Sequence, residues 1–222
     1  MDERYFVELA AAFVRGKLGE RSDGERPDGE LFHGEHLDGE AAIARGLEAG
    51  LKLHKFKRNA ELPRVKKVIG ILRGLQPATL LDVGSGRGTF LWPLVDALPH
   101  LPVTSIDRDG RRARDLGAVA KGGIDRLQAA QMDVAQLAFA DGAFDGVTLL
   151  EVLEHLPSPE KAAQQAMRVA KRFVIASVPT HEDDNPEHIH LFDEKSLGQL
   201  FAGARRITFE HVLNHTICVV HK

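Results

Sequence analysis

LLDVGSGRGTF, residues 80–90, is the stretch on which the reading of this chain turns. An apolar run ends in the acid Asp82. Glycines follow at 84, 86 and 88, and helical periodicity resumes with Phe90, Leu91 and Leu94. The pattern predicts a strand that turns sharply into a helix. Glycine permits such a turn and lets a ligand approach the backbone N–H groups at the helix start. Loops of this kind bind nucleotide-like ligands at the carboxyl ends of parallel strands. The spacing is GxGxG, without the GxGxxG of a dinucleotide fold or the Lys-Ser/Thr ending of a P-loop. A nicotinamide-dependent oxidoreductase is thereby disfavoured.

Downstream, short apolar runs alternate with helical patterns. Strands are predicted at 79–83, 102–107, 127–133, 146–151 and 172–178, and helices at 88–97, 110–120 and 158–170. That alternation indicates a parallel sheet covered on both faces. The tail RRITFEHVLNHTICVVHK reads as two strands turning at Asn214, an antiparallel hairpin at the sheet edge. The second strand ends in Asp107, where a carboxylate is placed to accept hydrogen bonds from both ribose hydroxyls of an adenosine. The third ends in Asp133, near where an adenine edge would lie.

Upstream, Phe6, Leu9, Ala10, Phe13 and Val14 are spaced as one helix face, stopping near Gly19. Residues 19–39 are too polar and too rich in glycine to bury a face and read as a flexible loop or lid, with His33 and His36 solvated. Helices are predicted again over 40–53 and 60–75. The division expected is an N-terminal helical cap over 1–76, not an independent domain, followed by a ligand-binding domain over 77–222.

Composition narrows the class. The 222 residues are 43% hydrophobic and 27% charged, which excludes a disordered or collagen-like chain. The single cysteine, Cys218, rules out an internal disulfide and a cysteine-based zinc site, and no disulfide-linked partner is expected. No run approaches the length of a membrane span and the N-terminus lacks a signal-peptide pattern, so no membrane partner and a cytoplasmic location are expected. The formal net charge of -3 gives no global drive toward nucleic acid. One basic run, Lys52, Lys55, Lys57, Arg58, Arg64, Lys66 and Lys67, is a candidate RNA surface, although such a run more often makes a solvated helix face.

LLDVGSGRGTF, then SIDRD, then QMDVAQLAFADGAFDGVTLLEVLEHL in that order resemble the class I S-adenosylmethionine-dependent methyltransferases of the type 11 branch, over residues 60–215. The resemblance implies a doubly wound, Rossmann-like α/β fold with a seven-stranded sheet whose last strand is antiparallel. It carries Asp82, Gly84, Gly86 and Gly88 to the methionine and ribose side of the cofactor, Asp107 to the ribose diol, and Asp133 with Val134 to the adenine. Ser85, Arg108 and Glu151 complete the implied cofactor contacts. The implied activity is methyl transfer from S-adenosylmethionine, and the acceptor expected is a small molecule or metabolite, at oxygen or nitrogen rather than carbon.

Acceptor chemistry is sought in two later segments. In EVLEHL, Glu151, Glu154 and His155 share a face if the segment is helical. After the fifth strand, SVPTHEDDNPEHIHLF, residues 177–192, supplies His181, His188 and His190, and the loop 179–192 is expected to contact the acceptor. Where an alcohol is methylated its proton must leave, and either a histidine or a metal can assist. His155 and His190 are accordingly the candidate catalytic residues. The form ExxEH with a later histidine before xF also resembles the small-RNA 3′-terminal ribose 2′-O-methyltransferases of the Hen1 type. That second resemblance implies a metal set of Glu151, Glu154, His155 and His190, holding magnesium, manganese or iron, and an RNA substrate. A third alternative is a scaffold that keeps the cofactor pocket without turnover.

Overall fold

The computed structural model describes residues 5–19, 38–58, 62–181 and 184–222. Most of the expected lid, with His33 and His36, lies outside the described residues. The seven strands are β1 (Leu80–Val83), β2 (Val103–Asp107), β3 (Leu127–Gln131), β4 (Phe144–Leu150), β5 (Ala170–Pro179), β6 (Arg206–Val212) and β7 (His215–His221). They form one sheet in the order β3-β2-β1-β4-β5-β7-β6. Strands β1 to β5 run parallel, and β7 is antiparallel to both of its neighbours, β5 and β6. This is the α/β architecture predicted, with the last strand reversed. The closing hairpin is inserted so that β7 lies inside and β6 forms the rim. Burial explains the choice: Ile217 to Val220 are all buried, whereas β6 carries the exposed Arg206, Glu210 and His211.

Helices cover both faces. One face packs under α1 (Val7–Leu18), α3 (Pro63–Leu75), α4 (Leu91–Ala97) and α5 (Gly110–Lys121). The other packs under α6 (Pro159–Val169) and α7 (Glu194–Leu200). Strand β5 shows the pleat that serves both cores, with Phe173 and Ile175 on the first face and Val174 and Ala176 on the second.

The N-terminal helices share the first core. Phe13, Phe56 and Trp92 stack in a chain with ring centroids 5.2 and 4.9 Å apart. Helix α1 crosses α5 closely enough that a Cβ on Gly122 would stand 1.8 Å from the Ala12 carbonyl oxygen. Gly19 ends α1 in the left-handed region, its N–H bonded to the Arg15 carbonyl. The second helix, α2 (Gly39–Glu48), stops earlier than its periodicity suggests, because Gly50 turns the chain at φ +75°.

Candidate active site

Strand β1 lies between β2 and β4, the point at which strand order reverses, and its carboxyl end opens onto the crevice where α/β proteins bind ligands. One polar residue in each of these three strands stands at the same height: Asp82 is in register with Ser105 on one side and Thr148 on the other. All three are buried. The Thr148 hydroxyl donates to Asp82 Oδ1 at 2.8 Å, and the Ser85 hydroxyl donates to Asp82 Oδ2 while meeting the Ser105 hydroxyl. Burial pushes the Asp82 carboxyl up to about 6, against the pull of the two hydroxyl donors and with a smaller push from the Asp107 charge. Asp82 thus sits beneath the loop and organises it. Its side chain is taken up by protein partners, so the contact with a cofactor implied for it is not what holds it there.

Asp107 is also buried, at the end of β2. Its Oδ2 accepts from the Gly86 N–H at 3.0 Å, its Oδ1 accepts from the Asp109 N–H at 2.9 Å, and the Arg112 guanidinium lies 3.6 Å away. These bonds fix the carboxylate against the glycine loop, with lone pairs left on both oxygens.

The three glycines serve different ends. A Cβ on Gly84 would lie 2.7 Å from Val152 Cγ2, and one on Gly88 would fall 2.0 Å from Trp92 Nε1, which donates to the Arg87 carbonyl. Both are required by packing. Only Gly86, at φ +57°, has no neighbour closer than 3.8 Å to an added Cβ, so the open cradle of the loop is there. A ribose diol over Asp107 and a backbone approach at Gly86 fit this arrangement. The Ser85 side chain is spent on Asp82. Asp133 is exposed and accepts from the Ala135 N–H, capping a short 3-10 turn beyond the end of β3. Val134 is buried, and Arg108 is exposed with its carbonyl accepting from the Gln131 amide.

At the end of β4 the condition for a shared face in EVLEHL, that the segment be helical, is not met. Only Leu153–His155 form a 3-10 turn, and Glu151 has φ +56°, a backbone region that residues other than glycine seldom occupy. Glu151 therefore does not share a face with Glu154 and His155. It turns to the neighbouring strands, where the Ser177 hydroxyl donates to Oε1 at 2.6 Å, His215 Nε2 lies 3.1 Å from Oε2 and Arg64 Nε lies 3.9 Å from Oε1.

The metal set read from the sequence is divided accordingly. Glu154, fully buried, meets His155 and His188, each of the three offering a ligand atom within 4.8 Å of the other two. His190 is directed elsewhere: its Nε2–H donates to the Leu156 carbonyl at 3.0 Å and its ring packs 5.7 Å from that of Phe192. The loop is held by Ile189 and His190 N–H groups donating to the Glu154 carbonyl, at 2.9 and 3.3 Å. His155 Nδ1–H donates to the Glu187 carbonyl at 2.9 Å, which leaves Nε2 as its acceptor nitrogen.

The basic run is partly taken up by ion pairs. Lys55 and Arg58 pair with Asp115 and Asp96, and Lys67 with Glu210. Burial lowers the Lys55 pKa, Asp115 opposing, and the ammonium sits 4.0 Å over the Phe13 ring. The sequence reading missed Ser105, Thr148, Ser177, Arg112 and His215. A polar residue within a buried apolar run is the signal available for Thr148 and Ser177.

A family model described as a methyltransferase domain matches residues 53–204. A malonyl-[acyl-carrier protein] O-methyltransferase of Geobacter sulfurreducens is 32% identical over 47% of this chain and 40% of its own length. A ubiquinone/menaquinone biosynthesis C-methyltransferase of Brucella abortus is 30% identical over 42% of this chain and 36% of its own. The chain thus spans well under half the length of either curated relative. Among solved structures, a SAM-dependent methyltransferase from Aquifex aeolicus shares the fold at TM-score 0.59 and 23% identity, over 72% of this chain and 90% of that one. The methyltransferase domain of a bacterial Hen1 protein does so at TM-score 0.59 and 16% identity, over 72% and 96%.

Proposed function

The chain belongs to the methyltransferase-domain family, and from that premise we propose that it binds S-adenosylmethionine and methylates an oxygen or nitrogen of a small-molecule acceptor. The observation that carries the reading is the bond from the Gly86 N–H to Asp107, which joins the one open glycine to a fixed carboxylate at the switch point. Asp107 would accept from the ribose hydroxyls, and the Gly86 backbone would lie against the cofactor. When bound, the cofactor supplies an electrophilic methyl on sulfur. Holding the acceptor in line with that methyl accounts for much of the rate gain in such transfers.

The carboxyl ends of β4 and β5 face the acceptor in this reading. Of the two expected catalytic histidines, His155 keeps Nδ1 on the Glu187 carbonyl, and in this reading its Nε2 would take the proton released as the bond to carbon forms. His190 ties the loop to Leu156 instead. Ile189, Leu191 and Leu213, each more than half exposed, stand on loops that rim the same edge and favour an acceptor with an apolar body. The test is calorimetric titration of S-adenosylhomocysteine. Wild-type protein should bind and Asp107→Ala should lose at least tenfold in affinity; binding that survives the substitution intact would remove the site assignment. Cofactor binding without transfer across broad oxygen and nitrogen acceptor sets would instead favour the scaffold.

A second reading is supported by Glu154, His155 and His188. Two imidazoles and one carboxylate suit manganese or iron better than magnesium, which prefers oxygen, and the Glu187 carbonyl on His155 Nδ1 is the outer partner that metal-bound histidines usually have. Manganese titrated into the protein should give a binding heat that Glu154→Gln abolishes, whereas an unchanged heat in that variant would dismiss this set.

A further inference from the structure

The end of the sheet farthest from the cofactor loop carries a different feature. A cavity of about 430 Å³ is lined by Lys171, Arg172 and Phe173 of β5, Arg205 and Arg206 at the start of β6, and the end of β7 at His221 and Lys222. The register sets it: Phe173 pairs with His221, and His221 with Arg206, a row across three neighbouring strands. Some of this charge is already engaged. The Arg172 guanidinium donates to the Leu75 carbonyl at 2.8 Å and lies 3.5 Å from Asp145, and the Lys222 ammonium donates to the Ala170 carbonyl. These bonds stiffen the floor. Lys171, Arg205 and Arg206 are exposed, and among the described residues none of the three has a carboxylate within ion-pair distance.

We propose that this groove is a binding site for an anion carrying two or more linked phosphates. In a chain with net charge -3, Lys171, Arg205 and Arg206 gather around one cavity beside an Arg172 already shared with Asp145, and these three repel one another unless an anion relieves them. Arginine forks match phosphate oxygens with two parallel bonds, and phosphate is the anion that three separate cations can share. The volume exceeds what one phosphate fills and lies in the range of small-ligand sites. The groove is separate from the proposed methyl-transfer site. Lys171 and Pro179 stand at opposite ends of β5, roughly 25 Å apart at about 3.3 Å per residue, so one ligand of this size does not reach both.

The probe is inorganic tripolyphosphate, titrated calorimetrically into the full chain at low and at physiological salt. It has no adenine with which to enter the cofactor loop. Binding should weaken with salt, persist in saturating S-adenosylhomocysteine, and fall at least tenfold in the Arg205→Glu, Arg206→Glu double variant. Both side chains are exposed, and an unchanged melting temperature checks that the variant folds; Lys171→Glu is the second variant should it not. ADP displacing tripolyphosphate identifies a nucleoside polyphosphate, and ADP failing to displace it identifies an inorganic one. No binding by wild type, or binding indifferent to both charge reversals, would overturn the proposal. So would a single-stranded RNA oligonucleotide binding through these arginines where tripolyphosphate does not.

Discussion

Replacing Asp82 by asparagine isolates what burial under the glycine loop costs. The carboxyl is pushed from 3.8 up to about 6, chiefly by burial. In the unfolded chain it returns to the ordinary value. Between about 4 and 6, therefore, the folded protein holds a proton that the unfolded chain has released, and stability falls as pH rises through that window. A gap of about 2 in pKa, at about 1.36 kcal/mol each, makes the full effect about 3 kcal/mol, complete by about pH 7. An amide in that place cannot ionise. The stability of Asp82→Asn minus that of wild type should rise by about this amount between pH 4 and pH 7 and then stay level. Other titrating groups are common to both proteins and largely cancel in the difference. The offset at pH 4 reflects how well an amide replaces the carboxyl toward Ser85 and Thr148, and it does not enter the slope. Urea unfolding at half-unit pH steps measures the difference directly. A difference that is level across the window, or that falls, would refute the account of Asp82 as a group buried at the expense of its charge.

Further outcomes separate packing from ligand binding. Gly88→Ala should destabilise by about 2 to 3 kcal/mol in urea unfolding, since its Cβ meets Trp92 at 2.0 Å with φ at +85°. Gly86→Ala has room and should cost only about 1 to 2 kcal/mol for its left-handed backbone, while weakening S-adenosylhomocysteine at least tenfold by calorimetry. Gly122→Ala drives a Cβ into the Ala12 carbonyl and should lower the melting temperature by several degrees, loosening α1 from α5. Cys218, buried, has its thiol pushed up to about 12. An aromatic disulfide reagent at pH 8 should therefore react only as fast as the protein opens, and immediate labelling of the folded chain would contradict this.

The parallel sheet and the glycine loop were legible because their signals are local. A short apolar strand, a turn that needs glycine, and a helix with 3.6 periodicity can each be read from a brief window of sequence. The place of β7 inside β6 follows from comparing the two strands' burial, and that comparison needs the sheet. The three glycines of GSGRG look equivalent in the sequence. They differ because Val152 and Trp92, distant or offset in the chain, close over Gly84 and Gly88 and leave Gly86 open. The shared face in EVLEHL, conditional on a helix, fails for a related reason: its spacing is compatible with a helix, yet the Glu151 N–H is captured by the Ser177 carbonyl at 3.0 Å, and φ turns positive there. Tertiary pairing overrode a weak local preference, which is common for short segments.

The same logic governs charge. Lys52 to Lys67 are neighbours in sequence, but Lys55, Arg58, Arg64 and Lys67 turn to four different acids, so the run does not act as one block of charge. Lys171, Arg205, Arg206 and Lys222 are scattered over the last quarter of the chain and meet because β5, β7 and β6 pair in one register. Linear clustering tests only neighbours along the chain, whereas a sheet brings together residues at matching heights on different strands. Asp82, Ser105 and Thr148 show the principle at the opposite end of the sheet, where register again assembles a site from one polar residue per strand. A strand-by-strand comparison of polar positions at equal height would have found both groups once the strand order was known, and the strand order is the step that local periodicity does not supply.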